Sequence, residues 1–160
     1  MRCEPRNVFA LRAYAAEIRA YTLLERQQGD GIPKFFGNYA LECSSREVQS
    51  DRIVWVNALG YSATELELAY GVSVLLTEDQ RAKIKANGTN IVKTAFNANV
   101  FFPGLYMSNF LVDCASTKVK LTGFEITFDP RSHGMGVENR NSSSKNALLE
   151  VADLFTDLGF

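Results

Sequence analysis

The chain is poor in the residue types from which most metal, redox and hydrolytic sites are built. Its 160 residues include a single histidine, His133, which excludes histidine pairs and most histidine-rich metal sites. The three cysteines, Cys3, Cys43 and Cys114, are odd in number and far apart. They make neither a disulfide framework nor a Cys-x-x-Cys zinc motif, and they read as reduced, buried or half-buried thiols of a cytosolic protein. A basic excess is also lacking. With a net charge of −1, the chain does not supply the cations that a nucleic-acid partner requires for phosphate neutralisation. Apolar runs of membrane-spanning length are missing, so no membrane association is expected. Met1-Arg2-Cys3-Glu4-Pro5-Arg6 has charge but no apolar stretch behind it. A signal peptide is therefore not expected, and the expected location is cytoplasmic or nuclear.

What the chain does have is core material. Hydrophobic residues make up 46% of it and eleven are Phe, against 22% charged, a balance that suits one globular domain. Ile18, Tyr21 and Leu24 recur at three-residue spacing, with Ala16, Ala20 and Leu23 thickening the stripe. The pattern predicts a helix over 13–28, stopped by Gly29. Asp30, Gly31 and Pro33 predict a turn, residues 35–43 and 53–56 two strands, and the polar stretch 44–52 a loop. Residues 66–70 alternate only weakly.

Thr77-Glu78-Asp79-Gln80 is a capping box, with acidic residues suited to the first turn of a helix. Ile84, Gly88, Ile91 and Ala95 then continue one face to about Asn97. Residues 110–112 and 119–121 predict a hairpin around a polar link. Residues 129–145, rich in Pro, Gly, Asn and Ser, predict a loop. Ala147, Leu148, Val151, Leu154, Phe155 and Leu158 line an amphipathic helix closed by Gly159. The predicted class is α+β. The sequons at Asn87 and Asn141 are expected to be chance matches, and the clusters Arg2/Arg6 and Lys118/Lys120 to be solvated surface.

Residues 99–112 read Asn-Val-Phe-Phe-Pro-Gly-Leu-Tyr-Met-Ser-Asn-Phe-Leu-Val. Val100, Leu105, Asn109, Phe110, Leu111 and Val112 fall on the frame V-I-H-G-D-L-x-x-x-N-F-L-V. The stretch resembles the catalytic loop of the protein-kinase-like superfamily, in particular of fungal kinase-like proteins. Other segments extend the resemblance over about residues 8–126. Glu17 stands where the C-helix glutamate stands, and Gln28-Gly29-x-x-Ile32-Pro33-Lys34-x-Phe36-Gly37 is similar to the segment after that helix. Residues 66–73, with Gly71-Val72-Ser73, resemble the hinge. Gly123-Phe124-Glu125 falls at the metal-binding Asp-Phe-Gly position. Val8-Phe9-Ala10-Leu11-Arg12 resembles the strand that carries the phosphate-binding lysine, with Arg12 in its place.

The resemblance implies an α+β, partial protein-kinase-like fold in one truncated domain. A small strand-rich N-terminal part would cover about residues 8–70 and a helical C-terminal part about 71–160. It also exposes what has been lost. Phosphoryl transfer works by positioning and charge: a lysine on the phosphates, an aspartate and an asparagine on the metal ions, and an aspartate orienting the attacking hydroxyl. Here Phe102 replaces the histidine, Gly104 the catalytic aspartate and Gly123 the metal-binding aspartate. Gly104 can neither orient a hydroxyl nor accept a proton, and Gly123 offers magnesium no oxygen. Asn109 is left as a vestigial metal ligand, and Arg12 and Glu17 as vestigial cofactor-binding residues.

The reading is thus a catalytically inactive, pseudokinase-like protein: no catalytic residue, no cofactor, and a role as a binding or regulatory module or as a relic. A partial fold of this kind exposes apolar surface, which implies a protein partner or self-association. Two alternatives stand beside it. One is an ATP- and magnesium-dependent protein kinase or small-molecule phosphotransferase with an atypical site at Asn109, Glu125 and Arg12. The other is an unrelated α+β interaction domain. Plain roles are also open: Phe101 and Phe102 as core aromatics, Asn109 as a turn former, Glu17 as an ordinary helix residue and His133 as a solvated loop residue.

Overall fold

In a computed structural model, residues 5–43, 52–60, 64–65, 75–131, 134, 136–157 and 159–160 are described. The stretch 44–51, residues 66–73, Leu158, His133 and Cys3 lie outside them.

Helix α1 (Pro5–Leu23) begins on a proline, whose fixed φ suits the first turn and whose missing N–H would have no helical partner there. It starts earlier than the apolar spacing predicts, carried by alanines of high helical propensity. It also ends earlier, in a 3-10 turn at Glu25–Gln27. Gln28 supplies the reason. Its Nε2 donates to the Tyr21 carbonyl (2.9 Å) and its Oε1 accepts from the Phe35 amide (3.0 Å). The chain is thereby folded back through Gly29, at φ +88, into strand β1.

β1 (Lys34–Cys43) and β2 (Arg52–Gly60) pair antiparallel, with a bulge between Phe35 and Gly37 where Gly37 takes φ +116. The short strand β3 (Thr64–Glu65) joins a second sheet in the order β3-β4-β5, in which β4 is Phe110–Asp113 and β5 is Lys118–Leu121. Both sheets are antiparallel.

Helix α2 (Glu78–Asn97) opens on the capping box. The Gln80 amide donates to Thr77 Oγ1 (3.2 Å) and the Thr77 amide to Gln80 Oε1 (2.9 Å). At its other end Asn99, in the left-handed region at φ +60, donates to the Phe96 carbonyl while Val100 donates to that of Ala95. This is a Schellman stop with asparagine in the usual glycine place.

Helix α3 (Val137–Asp157) corrects the loop expected over 129–145, because the chain is helical from Val137. Asn and Ser cost only a few tenths of a kcal/mol each in a helix interior, roughly, relative to better formers. The apolar face from Ala147 onward anchors the whole element.

That face meets α2 at one close approach. Gly88 of α2 lies against the ring of Phe155, which is fully buried between Phe110 (ring centroids 5.1 Å) and Phe160 (6.1 Å). Burying such a ring contributes about 1.5–3 kcal/mol. Ile84, Val92 and Ala95 of α2, with Phe110, Val112, Val119 and Leu121 of the hairpin, complete the core. The result is a mixed α+β architecture with a small strand region and a helical region. Among the described residues, no helix is long and apolar enough to cross a membrane.

Candidate functional site

Two loops flank the β4–β5 hairpin, residues 102–109 before it and 122–128 after it. They are clamped together where Phe101 and Phe128 exchange backbone hydrogen bonds of 3.2 and 3.0 Å. The hairpin register, which pairs Phe110 with Leu121, continues through the Thr122 amide to the Asn109 carbonyl and sets Asn109 beside Gly123.

Asn109 is buried, and each of its polar groups has a backbone partner. Oδ1 accepts from the Tyr106 amide (2.8 Å) and Nδ2 donates to the Thr122 carbonyl (3.2 Å). Its backbone N–H donates to Tyr106 (2.9 Å), and its carbonyl accepts from Thr122 (2.8 Å). Gly123 follows in the left-handed region, φ +75 and ψ 48. A Cβ there would overlap Asn109 Nδ2, well inside the 3.0 Å that real Cβ contacts keep. No L-residue fits without displacing the amide. Gly104 is different: a Cβ at this position meets the Tyr106 side chain, nearest its hydroxyl at 3.3 Å, and Tyr106 is mostly exposed. Glu125 is exposed on the 3-10 turn Phe124–Ile126.

Beneath these loops runs a line of four aromatic rings. Phe102 packs on Phe124 (5.6 Å), Phe124 stands edge-on to Tyr21 of α1 (5.1 Å), and Tyr21 stacks on Phe35 of β1 (5.0 Å). Phe101 and Phe102 are therefore core aromatics, as their composition suggested. Tyr21, Phe124 and Phe35 were missed as a set; the only local signal was an aromatic residue in each of three separate segments.

Glu17 is half-buried on α1 and makes an interaction within the fold. Arg12 requires a correction. Val8 to Arg12 is helical, part of α1, and not a strand, and the Arg12 side chain is exposed. The alanines that lengthen α1 toward Pro5 absorb this segment into the helix. A strand-borne cation is not what this residue supplies.

A second tie joins α1 to the site. Arg19 Nη1 lies 3.4 Å from Asp129 Oδ2. The Asp129 carboxyl is held below its ordinary pKa, first by the Arg131 backbone amide and then by the Arg131 and Arg19 charges. On the hairpin, Asp113 is likewise lowered, chiefly by the Ser116 hydroxyl, while burial raises the Cys114 thiol. Among the described residues, no group of three or more His, Cys, Asp and Glu side chains is arranged to hold a metal ion.

No protein-family model matches this chain, and no curated protein matches it.

Proposed function

We propose that the chain is a catalytically silent, protein-kinase-like module that acts by binding and does not transfer phosphate. The observation that carries this reading is the Asn109–Gly123 contact. The resemblance sets these two positions side by side as metal ligands, and here one is glycine while the other turns its amide to backbone partners. Magnesium requires several hard oxygens in strict octahedral array, and a committed amide beside a glycine supplies none freely.

Support for the kinase-like part comes from how separately matched segments meet. The aromatic line joins Phe102 at the histidine position, Phe124 at the metal-loop position, Tyr21 on the helix of Glu17 and Phe35 in the segment after it. Gln28 and Gly31, from that same segment, bind β1 and β5; the Leu121 amide donates to the Gly31 carbonyl (2.9 Å).

The test is direct. The purified full chain is incubated with ATP and magnesium or manganese, and phosphate incorporation is followed alongside thermal stability. The expected result is neither incorporation nor a magnesium-dependent rise in Tm. Reproducible metal-dependent transfer, abolished by Asn109→Ala, would overturn the reading and establish the atypical phosphotransferase instead.

A further inference from the structure

A cavity of about 590 Å³ opens between the C-terminal half of α2, the loop after it and the first half of α3. Small-molecule sites commonly span roughly 300–1,000 Å³. The floor is apolar. Phe96 and Phe101, their ring centroids 4.9 Å apart, line it together with Leu148 and Leu149 of α3. Leu149 leaves 56% of its surface to solvent, apolar area that the body of a ligand would cover.

The charge around this floor has one sign. Lys93 comes from α2 and Lys145 from α3, and among the described residues no aspartate or glutamate lines the cavity. Among the described residues, neither lysine belongs to an ion pair. Asn97, Asn99 and Asn141 add side-chain amides able to donate hydrogen bonds.

The end of α2 would ordinarily present carbonyl oxygens and repel an anion. Here the carbonyls of Thr94, Ala95 and Phe96 are occupied by the amides of residues 98–100. The Schellman stop thus does two things: it removes acceptors from the wall and fixes Asn99 there.

We infer that this cavity binds an amphipathic organic anion, a carboxylate on an apolar body of medium length. The carboxylate lies between Lys93 and Lys145, and the body lies on Phe96, Phe101 and Leu148. The inference does not rest on the kinase-like reading, because none of the cavity residues belongs to the Asn109–Gly123 contact.

The experiment is an amide NMR titration of the full chain with decanoate, 1-decanol and butanoate. Decanoate is expected to give saturable shifts centred on residues 93–101 and 141–149, with a Kd at or below about 1 mM. 1-Decanol lacks the charge and butanoate lacks the body, so each is expected to bind at least roughly tenfold more weakly. Both lysines are exposed, so the double variant Lys93→Gln/Lys145→Gln keeps its fold, which its own amide spectrum verifies. It is expected to lose decanoate affinity by about tenfold or more. No saturable shift by about 1 mM decanoate, shifts scattered outside the lining, or equal affinity in the double variant would each overturn the inference.

Discussion

Asn109 Nδ2 occupies the space that a side chain on Gly123 would need, and Gly123 holds a backbone conformation that suits glycine, φ +75. Each residue thus fixes the identity of the other. Gly123→Ala is expected to destabilise the protein for two separable reasons. The left-handed backbone costs an L-residue about 1–2 kcal/mol, and displacing the buried amide costs about 1–3 kcal/mol more. Urea unfolding checks the sum. Asn109→Ser by itself forfeits the two amide hydrogen bonds to Tyr106 and Thr122, so the packing part is read from a double-mutant cycle: against the Asn109→Ser background, Gly123→Ala should cost only the backbone part. An alanine variant as stable as the parent would mean that the loop relaxes freely, and the site is then less rigid than argued above.

Gly88→Ala sets two effects against each other. Alanine in a helix interior is better than glycine by about 1 kcal/mol. Its methyl, however, would overlap the Phe155 ring, and that ring is held by Phe110 and Phe160. Overpacking of a fixed ring costs about 1–3 kcal/mol, so the expected net change is a loss. In a double-mutant cycle with Phe155→Leu, the two substitutions should couple favourably by more than about 0.5 kcal/mol. A stabilised Gly88→Ala protein would show that propensity wins and that α2 and α3 can part slightly.

The parts of the fold that were legible in the sequence are those fixed by neighbours along the chain. The Thr77–Gln80 capping box needs four consecutive residues and is present as read. The β4–β5 hairpin needed only two apolar runs and a polar link. Non-local ties were not legible. Nothing in the sequence around Gln28 announces that its side chain links α1 to β1. The four-ring line from Phe102 to Phe35 exists only once the segments have folded together. The start of α3 was hidden for a different reason: Asn and Ser look like loop residues, but a long apolar face downstream outweighs small propensity costs. At the candidate site, that Gly104 and Gly123 bring no side chain was readable. That the Asn109 amide fills the space at Gly123 was not.

Among the described residues, Thr117, at φ +57, is with Asn99 one of two non-glycine residues in the left-handed region. It closes the loop between β4 and β5, where its carbonyl accepts from Asn87 Nδ2 of α2 (2.9 Å). A β-branched side chain is poorly suited to this backbone, whereas asparagine tolerates it. Because the bond from Asn87 goes to the backbone, Thr117→Asn preserves it. The expected outcome is a rise in Tm of about 1–4 °C by calorimetry. A fall would mean that the Thr117 hydroxyl, which donates to the Ser116 carbonyl (2.7 Å), contributes more than the strain removes.

Asp113 at the start of the same loop makes a pH-dependent contribution whose sign follows from its partners. The Ser116 hydroxyl donates to Oδ2 (2.5 Å), and the Ala115 and Ser116 amides donate to Oδ1 (3.0 and 3.3 Å). All three bonds are stronger to the ionised carboxylate than to the neutral acid, so its pKa falls below the ordinary 3.8. The folded group is then the stronger acid. Its stabilisation is fully present above 3.8 and is lost as pH drops through the lowered folded value. The Ser116 hydroxyl is the largest lowering cause and the Lys118 charge the smallest. Ser116→Ala should therefore raise the carboxyl pKa more than Lys118→Gln does, as read by carbon-detected NMR titration of Asp113. Added salt should change it little, because screening acts on the Lys118 charge and hardly on short hydrogen bonds. The reverse order, with Lys118→Gln dominant and strong salt dependence, would assign the shift to charge. The loop would then be held by an ion pair and not by its own turn.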